Sequence, residues 1–449
     1  MVEDASGSRN RRTLVTVGGL ALVIVLIGWA SLRGRSAAEF ADAVAELERR
    51  GEPVRLAQAI DPGSIPEAEN AAVVVRSAKA ALPEDPEGVL WATGIDDESP
   101  LSLVFLIRDA FPGGGTCESP TEEAWTRLGQ AIERTVAQNR AAVEGSREAR
   151  TRPRCSFVQV SGLDPRKAIH WMYMRWWAYD RLSVAVTLDV LAKVHAGDRD
   201  AALVSLEAIF ALARFHLNEP YAGHQSAGCE IERLGCALIL HLVADGIWPG
   251  ADPAAWVARL EGEARSIRWR DALVLARAEG LETFDAVLAG ARPCLDFDMP
   301  WRARKFDRVR DELVSRDGLV YLSAMAEAIS LADRPYWEVA GRVRAIDEEM
   351  DDQSRNAAAL LDDVWGVDRR GDLDPTFRTI ADTRTALALA RAALEAFAER
   401  GERGAWLADL GALAPIDHRT GRAGRLEVRD GDAWIVLHEV GEWRVRAPR

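Results

Sequence analysis

Along most of the chain, apolar residues recur every three or four positions, the pattern of helices that bury one face. Ala202, Leu206, Ile209, Phe210, Ala213 and Leu217 form one stripe, and Ile231, Leu234, Leu238 and Leu242 another. Caps and breakers set the expected boundaries. They predict a helix over 37–50 before Gly51-Glu52-Pro53, and one over 66–82 opened by Pro66. Ser119, Pro120 and Glu122 make a capping box from which a helix can run to about Arg150. Further helices are expected from Ala168 to Ala196, from Asp198 to His216, from Glu230 to Asp245, after Asp252-Pro253, and from Trp269 to Leu288. Pro335 and Pro375 open later ones, and Thr383–Arg400 is the last long helix.

The period changes near the carboxyl end. Arg425–Arg429 and Ala433–Val440 alternate around Asp430-Gly431-Asp432, a hairpin turn signal. The loop can centre on Asp430-Gly431 or on Gly431-Asp432. Either way Leu426, Val428, Ile435 and Leu437 share one face, expected to pack on the 383–400 helix, because a lone hairpin is marginal in water.

Thr13 to Leu32 breaks the amphipathic pattern with twenty residues that carry no charge. At 1.5 Å per residue a helix of this length spans about 30 Å, the hydrocarbon thickness of a bilayer. A cleaved signal peptide has a shorter apolar region and a small-residue cleavage site; Gly28-Trp29-Ala30 is the one candidate for such a site. An uncleaved single-pass anchor is the expectation. Arg9, Arg11 and Arg12 precede the span and Arg33, Arg35, Arg49 and Arg50 follow it, so charge alone does not orient it. The short leading tail and long acidic remainder favour an inside N-terminus, with the bulk of the chain outside the cytoplasm.

Composition adds one exclusion. The 449 residues carry 56 Lys+Arg against 70 Asp+Glu, a net charge of -14, with no basic cluster. General nucleic-acid binding is therefore not expected.

Candidate chemistry is sparse. Of five cysteines, Cys117 and Cys155 flank the expected 120–150 helix, about 45 Å long if unbroken, and so cannot pair. Cys229 and Cys236 stand two helical turns apart, also too far. Cys155 and Cys294, both in Pro-containing connectors, are the one pair worth testing against buried free thiols. His216, His224, Cys229 and Glu230 match no zinc spacing, and Cys236 and His241 point to different sides of a helix. The acidic run Asp347, Glu348, Glu349, Asp351 and Asp352 lacks the glycine turn of a calcium loop and reads as a solvated helix face. Gly113-Gly114-Gly115-Thr116 lacks a phosphate-loop ending and reads as a linker. The aromatic segment Trp171–Tyr179 reads as core packing before it reads as a ligand grip. No catalytic, cofactor-binding or metal residue is assigned.

Three likenesses follow from these residues. The Gly197-Asp198 hinge resembles the turn within tetratricopeptide-type helical hairpins, without their 34-residue repeat. Gly51-Glu52-Pro53-Val54, then Ile65-Pro66 with Glu69-Asn70-Ala71-Ala72, resembles the opening of membrane-anchored helical proteins of planctomycetes and similar GC-rich bacteria. Trp406–Leu410, Ile416-Asp417-His418-Arg419-Thr420-Gly421 and Val440-Gly441 are similar to that family's ending, which also looks like the carboxyl-terminal part of type II secretion pseudopilins. The family's Asp-Pro is Asp417-His418 here, and its acidic tail is replaced by Trp443-Arg444-Val445, so no calcium site is carried over. The resemblance implies an architecture and no activity.

The expected protein is mainly α, with a tail (1–12), a transmembrane helix (13–32), a multi-helix hairpin domain (33–382), and a helix plus small β-hairpin (383–449). Its expected role is a scaffold held in the cell membrane through residues 13–32 and presenting a surface to protein partners. A pseudopilin-like envelope component, or an enzyme whose site is assembled from distant residues, are the alternatives.

Overall fold

The structure, a computed structural model, describes residues 36–60, 65–82, 122–161, 177–248, 252–289, 300–356, 373–403, 406, 414–437 and 441–446. The apolar run 13–32, the Ser119 capping box, the Gly113–Gly115 linker, Cys117, Cys294 and Trp171–Trp176 lie outside these residues. In chain order the helices are α1 (36–49), α2 (Leu56–Ala59), α3 (Ala71–Ala80), α4 (Glu122–Gln138), α5 (Arg140–Ala149), α6 (Phe157–Ser161) and α7 (Trp177–His195). They continue as α8 (Arg199–Leu217), α9 (Ala222–Ala244), α10 (Pro253–Ala264), α11 (Trp269–Leu288), α12 (Pro300–Leu331), α13 (Tyr336–Asn356) and α14 (Leu373–Arg403). Strands β1 (Arg425–Arg429), β2 (Asp432–Leu437) and β3 (Gly441–Val445) close the chain. The fold is mainly helical with a small antiparallel sheet, as its periodicity implies. No helix among the described residues is long and apolar enough to cross a membrane.

The chain divides into two compact units. The larger holds 60–276, 329–345 and 372–449. Its centre is a set of helical hairpins in which α8 packs between α7 and α9, while α14 lies along α9 and α10. Both stripes read from the sequence are buried here, with Leu206, Ile209 and Phe210 fully inaccessible. Asp198 caps α8 by accepting from Ala201 N, and Asp252 caps α10 by accepting from Ala254 N at 2.9 Å.

Several boundaries differ from expectation. The helix expected over 66–82 begins as a 3₁₀ turn (Glu67–Glu69) and becomes α only at Ala71. Asn70 is the cap, its side-chain oxygen accepting from Ala72 N and Ser156 N at 3.0 Å each. The 120–150 helix breaks at Asn139, so its unbroken length no longer separates Cys117 from Cys155. Helix α9 begins eight residues before Glu230. Gly228 lies inside it, where a Cβ would strike Leu217, so this glycine lets α8 and α9 close together. The last helix starts at Leu373, ten residues early, and α12 was not anticipated. In the acidic run Glu348, Glu349 and Asp352 are exposed, whereas Asp347 turns inward.

The carboxyl-terminal element is a three-stranded meander. Arg429 pairs with Asp432, which selects Asp430-Gly431 as the loop, with φ of 54° and 87°. Leu426, Val428, Ile435 and Leu437 share a face, as expected, and Ala433, opposite Val428, joins them. Trp443 and Val445, on the unanticipated β3, lie opposite Ile435 and Ala433 and extend that face. The sheet packs on α14 as expected and also on α9, where Arg446 N donates to Val243 O. Burial fades toward the edge: Ile435 is inaccessible but Val428 is half exposed.

The smaller unit holds 1–59, 277–328 and 346–371. Phe284 packs against both Phe40 and Tyr321 in its core, with ring centroids 6.1 and 5.6 Å away. Gly318 on α12 faces the Phe40 ring, where a Cβ would not fit. Arg277 is almost fully buried and reaches Glu52, Nη1 to Oε2 at 2.6 Å.

Candidate functional site

Two features of the larger unit gather chemistry-bearing side chains: a buried polar knot and an open groove.

The knot forms where the turns before α3, α6 and α9 meet. His216 near the end of α8 and His224 in the first turns of α9 bring their Nδ1 atoms to 3.1 Å. The Phe157 ring lies 5.6 and 5.7 Å from the two imidazoles, and Tyr221 5.9 Å from His224. Both histidines are buried, and burial lowers both pKa values, that of His224 to about 4. Two neutral rings therefore share one hydrogen bond, one donating and one accepting.

Glu219, on the intervening turn, accepts from Phe157 N at 2.7 Å. Burial raises its pKa to about 7 against the help of that bond. Gln225 donates to Leu217 O and Glu219 O and accepts from Arg268 N. Cys155 is buried beside Glu219, and burial lifts its thiol well above the ordinary range, which makes it a poor nucleophile. Glu219 and Gln225 thus answer backbone groups that the turns leave over. The knot is a lock between turns, closed to solvent.

A second buried group lies further along α9. Glu232 is inaccessible, and neither carboxylate oxygen has a hydrogen-bond partner among the described residues. Burial, then the nearby Glu263 charge, push its pKa well up, so it is held neutral. Glu263 belongs to a chain of ion pairs: Arg214 at 3.6 Å, Arg259 at 3.6 Å, then Arg259 to Glu207 at 3.5 Å and Glu207 to Arg150 at 3.2 Å.

The open groove, about 410 Å³, runs between the end of α4, the length of α5 and the end of α7. Val136, Ala137, Val143, Ala192 and Ala196 supply its apolar lining. Six charges surround them: Glu133, Arg140, Glu144, Arg147, Asp189 and Lys193. Asp189 is buried and accepts from both Ser205 Oγ, at 2.6 Å, and Arg147 Nη2. Arg147 Nε donates to Ser205 Oγ at 2.8 Å. The guanidinium is thereby held on two sides.

The residues weighed from sequence fare unevenly. The structure joins His216 to His224 but leaves Cys229 and Glu230 apart from them. Cys229 O lies 3.5 Å from the Thr383 hydroxyl, and Glu230 pairs with Arg233 at 2.9 Å. Among the described residues no three His, Cys, Asp or Glu side chains are placed to hold a metal ion. Cys155, Cys229 and Cys236 are free and buried. His241 faces Asp245 at 4.0 Å. Arg147, Asp189 and Ser205 were missed, because their separations of 42 and 58 residues follow no local pattern. No family model, curated protein or solved structure matches the chain.

Proposed function

We propose that the protein is a membrane-anchored helical scaffold whose hairpin domain presents a binding surface outside the cytoplasm. The observation that carries this reading is the groove on α4, α5 and α7. It is open and lined by charges of both signs, unlike the closed, neutralised knots of the interior. The uncharged run Thr13–Leu32 supports the anchor, since twenty such residues match a bilayer's hydrocarbon core at about 30 Å.

Fractionation and cross-linking test the reading. The full chain is expected in the membrane fraction, a chain lacking residues 1–35 in the soluble fraction with its helical spectrum intact. Photo-cross-linkers at Glu133 and Glu144 are expected to capture discrete partners, whereas a cross-linker at Glu402, exposed at the end of α14, is not. Recovery of the truncated chain only in membranes, or identical adducts from both surfaces, overturns it.

A further inference from the structure

The groove differs from an ordinary polar surface in how its cations are arranged. Arg147 spends Nε on Ser205 and Nη2 on Asp189, and its Nη1 makes no hydrogen bond among the described residues. Asp189 is buried, while Arg147 is reached from the groove with its side chain 23% exposed. The acid that fixes the guanidinium is thus withdrawn, and the remaining donor edge is offered to whatever enters. Arg140, seven residues earlier on the same face of α5, has no ion pair among the described residues. Lys193 adds a third cation on α7, 3.6 Å from Asp198.

The groove's length limits its occupant. Arg140 to Arg147 on α5, and Asp189 to Ala196 on α7, each cover seven residues, about 10 Å along a helix. That distance accommodates about three extended residues at roughly 3.3–3.6 Å each. Val136, Val143 and the three alanines suit an apolar side chain. Glu133 and Glu144, without ion pairs among the described residues, repel a polyanion and favour a basic residue in the same ligand.

We propose that this groove seats the last three residues of a partner protein, its terminal carboxylate on Arg147, with the Arg140 and Lys193 cations further along the same groove. The final side chain is apolar and a basic residue precedes it by one or two positions. Asp189 and Ser205 are positioning residues: they hold the guanidinium in one orientation, so little side-chain freedom is lost on binding. This inference rests on the scaffold reading and names its partner's chemistry.

Fluorescence anisotropy on the full chain in detergent, with an amino-terminally labelled Lys-Ala-Val peptide, tests it. The free acid is expected to bind about tenfold or more tightly than its carboxamide, the difference made by one charge-assisted pair. Arg147→Lys keeps the charge but loses the fork and is expected to cost about tenfold. Should that variant fail to fold, Arg140→Gln, at an exposed position, is expected to weaken the acid several-fold with unchanged melting. Equal binding of acid and amide, no binding below millimolar concentration, or displacement by equimolar inorganic phosphate overturns the proposal. If partners still cross-link at Glu133 and Glu144 while the free acid fails to bind, this inference fails and the scaffold reading stands.

Discussion

His216 and His224 share a hydrogen bond, Nδ1 to Nδ1 at 3.1 Å, in an interior that disfavours charge on either ring. The bond needs at least one neutral ring, since two imidazolium groups would present a donor to a donor, and burial disfavours even a single charge. The pair therefore couples the α8–α9 turn to pH.

The folded-state pKa of His224 is depressed to about 4 from 6.5, and that of His216 lies well below 6.5. The unfolded chain therefore binds more protons below 6.5. Stability from the pair is complete above that value and is lost as pH falls toward 4, at about 1.4 kcal/mol per unit for each ring. Urea unfolding between pH 4 and 7 should show this, and replacing both rings by Leu should flatten it. An unchanged acid slope in the double variant would exclude the pair as its source.

Glu219 acts in the opposite sense. Its pKa is raised to about 7 from 4.5, so its contribution is complete below 4.5 and is lost as pH rises through 7. Between 4.5 and 6.5 its loss offsets part of the histidine gain. Glu219→Gln keeps an oxygen for Phe157 N and removes the titration. The variant should be more stable than the parent above pH 7 and should steepen the acid loss below 6.5. Parallel pH curves for variant and parent would show that Glu219 does not titrate in this range.

Arg277 and Glu52 predict an asymmetry. Arg277 is 2% exposed, and its Nε and Nη2 have no hydrogen-bond partner among the described residues, so its burial is offset mainly by Glu52. Glu52→Gln leaves that charge buried and should cost about 3–5 kcal/mol. Arg277→Met leaves a carboxylate within reach of water and fills similar volume, so it should cost far less. Thermal melts of the two variants decide it; equal losses would mean that the pair works through packing alone.

On the sheet, Ile435→Asp places a charge on an inaccessible face and should cost more than about 3 kcal/mol. Val428→Asp lies on the same face but at the exposed edge and should change stability by less than about 0.5 kcal/mol. Limited proteolysis of the carboxyl-terminal segment separates the two, and similar protection in both variants would contradict the observed register.

Three residues singled out in the sequence acquire physical roles. Glu52 neutralises Arg277. Asn70 caps α3 and, through its amide, holds Ser156 O at 3.2 Å. Asp417 is 1% exposed and accepts from Arg419 N at 2.8 Å and Thr420 Oγ1 at 2.6 Å, closing the turn that docks His418 N on Thr385. Each satisfies groups that would otherwise be left bare.

What the sequence by itself determined is local. Asp198, the Asp252-Pro253 start, the Trp269–Leu288 helix, the two buried stripes and the inward face of the Asp430-Gly431 hairpin all follow from period, caps and turn chemistry within a few residues. Tertiary packing decided the rest. It extended α9 through Gly228, because a glycine that would loosen an isolated helix permits close approach to α8. It recruited β3, whose Trp443 is covered only once the sheet meets its helices. It also drew His216 to His224 and Arg147 to Asp189 and Ser205, contacts made between elements and invisible to any one element's pattern. Burial set the ionisation of the two histidines, because the charged form loses water that no neighbouring residue in the sequence can replace.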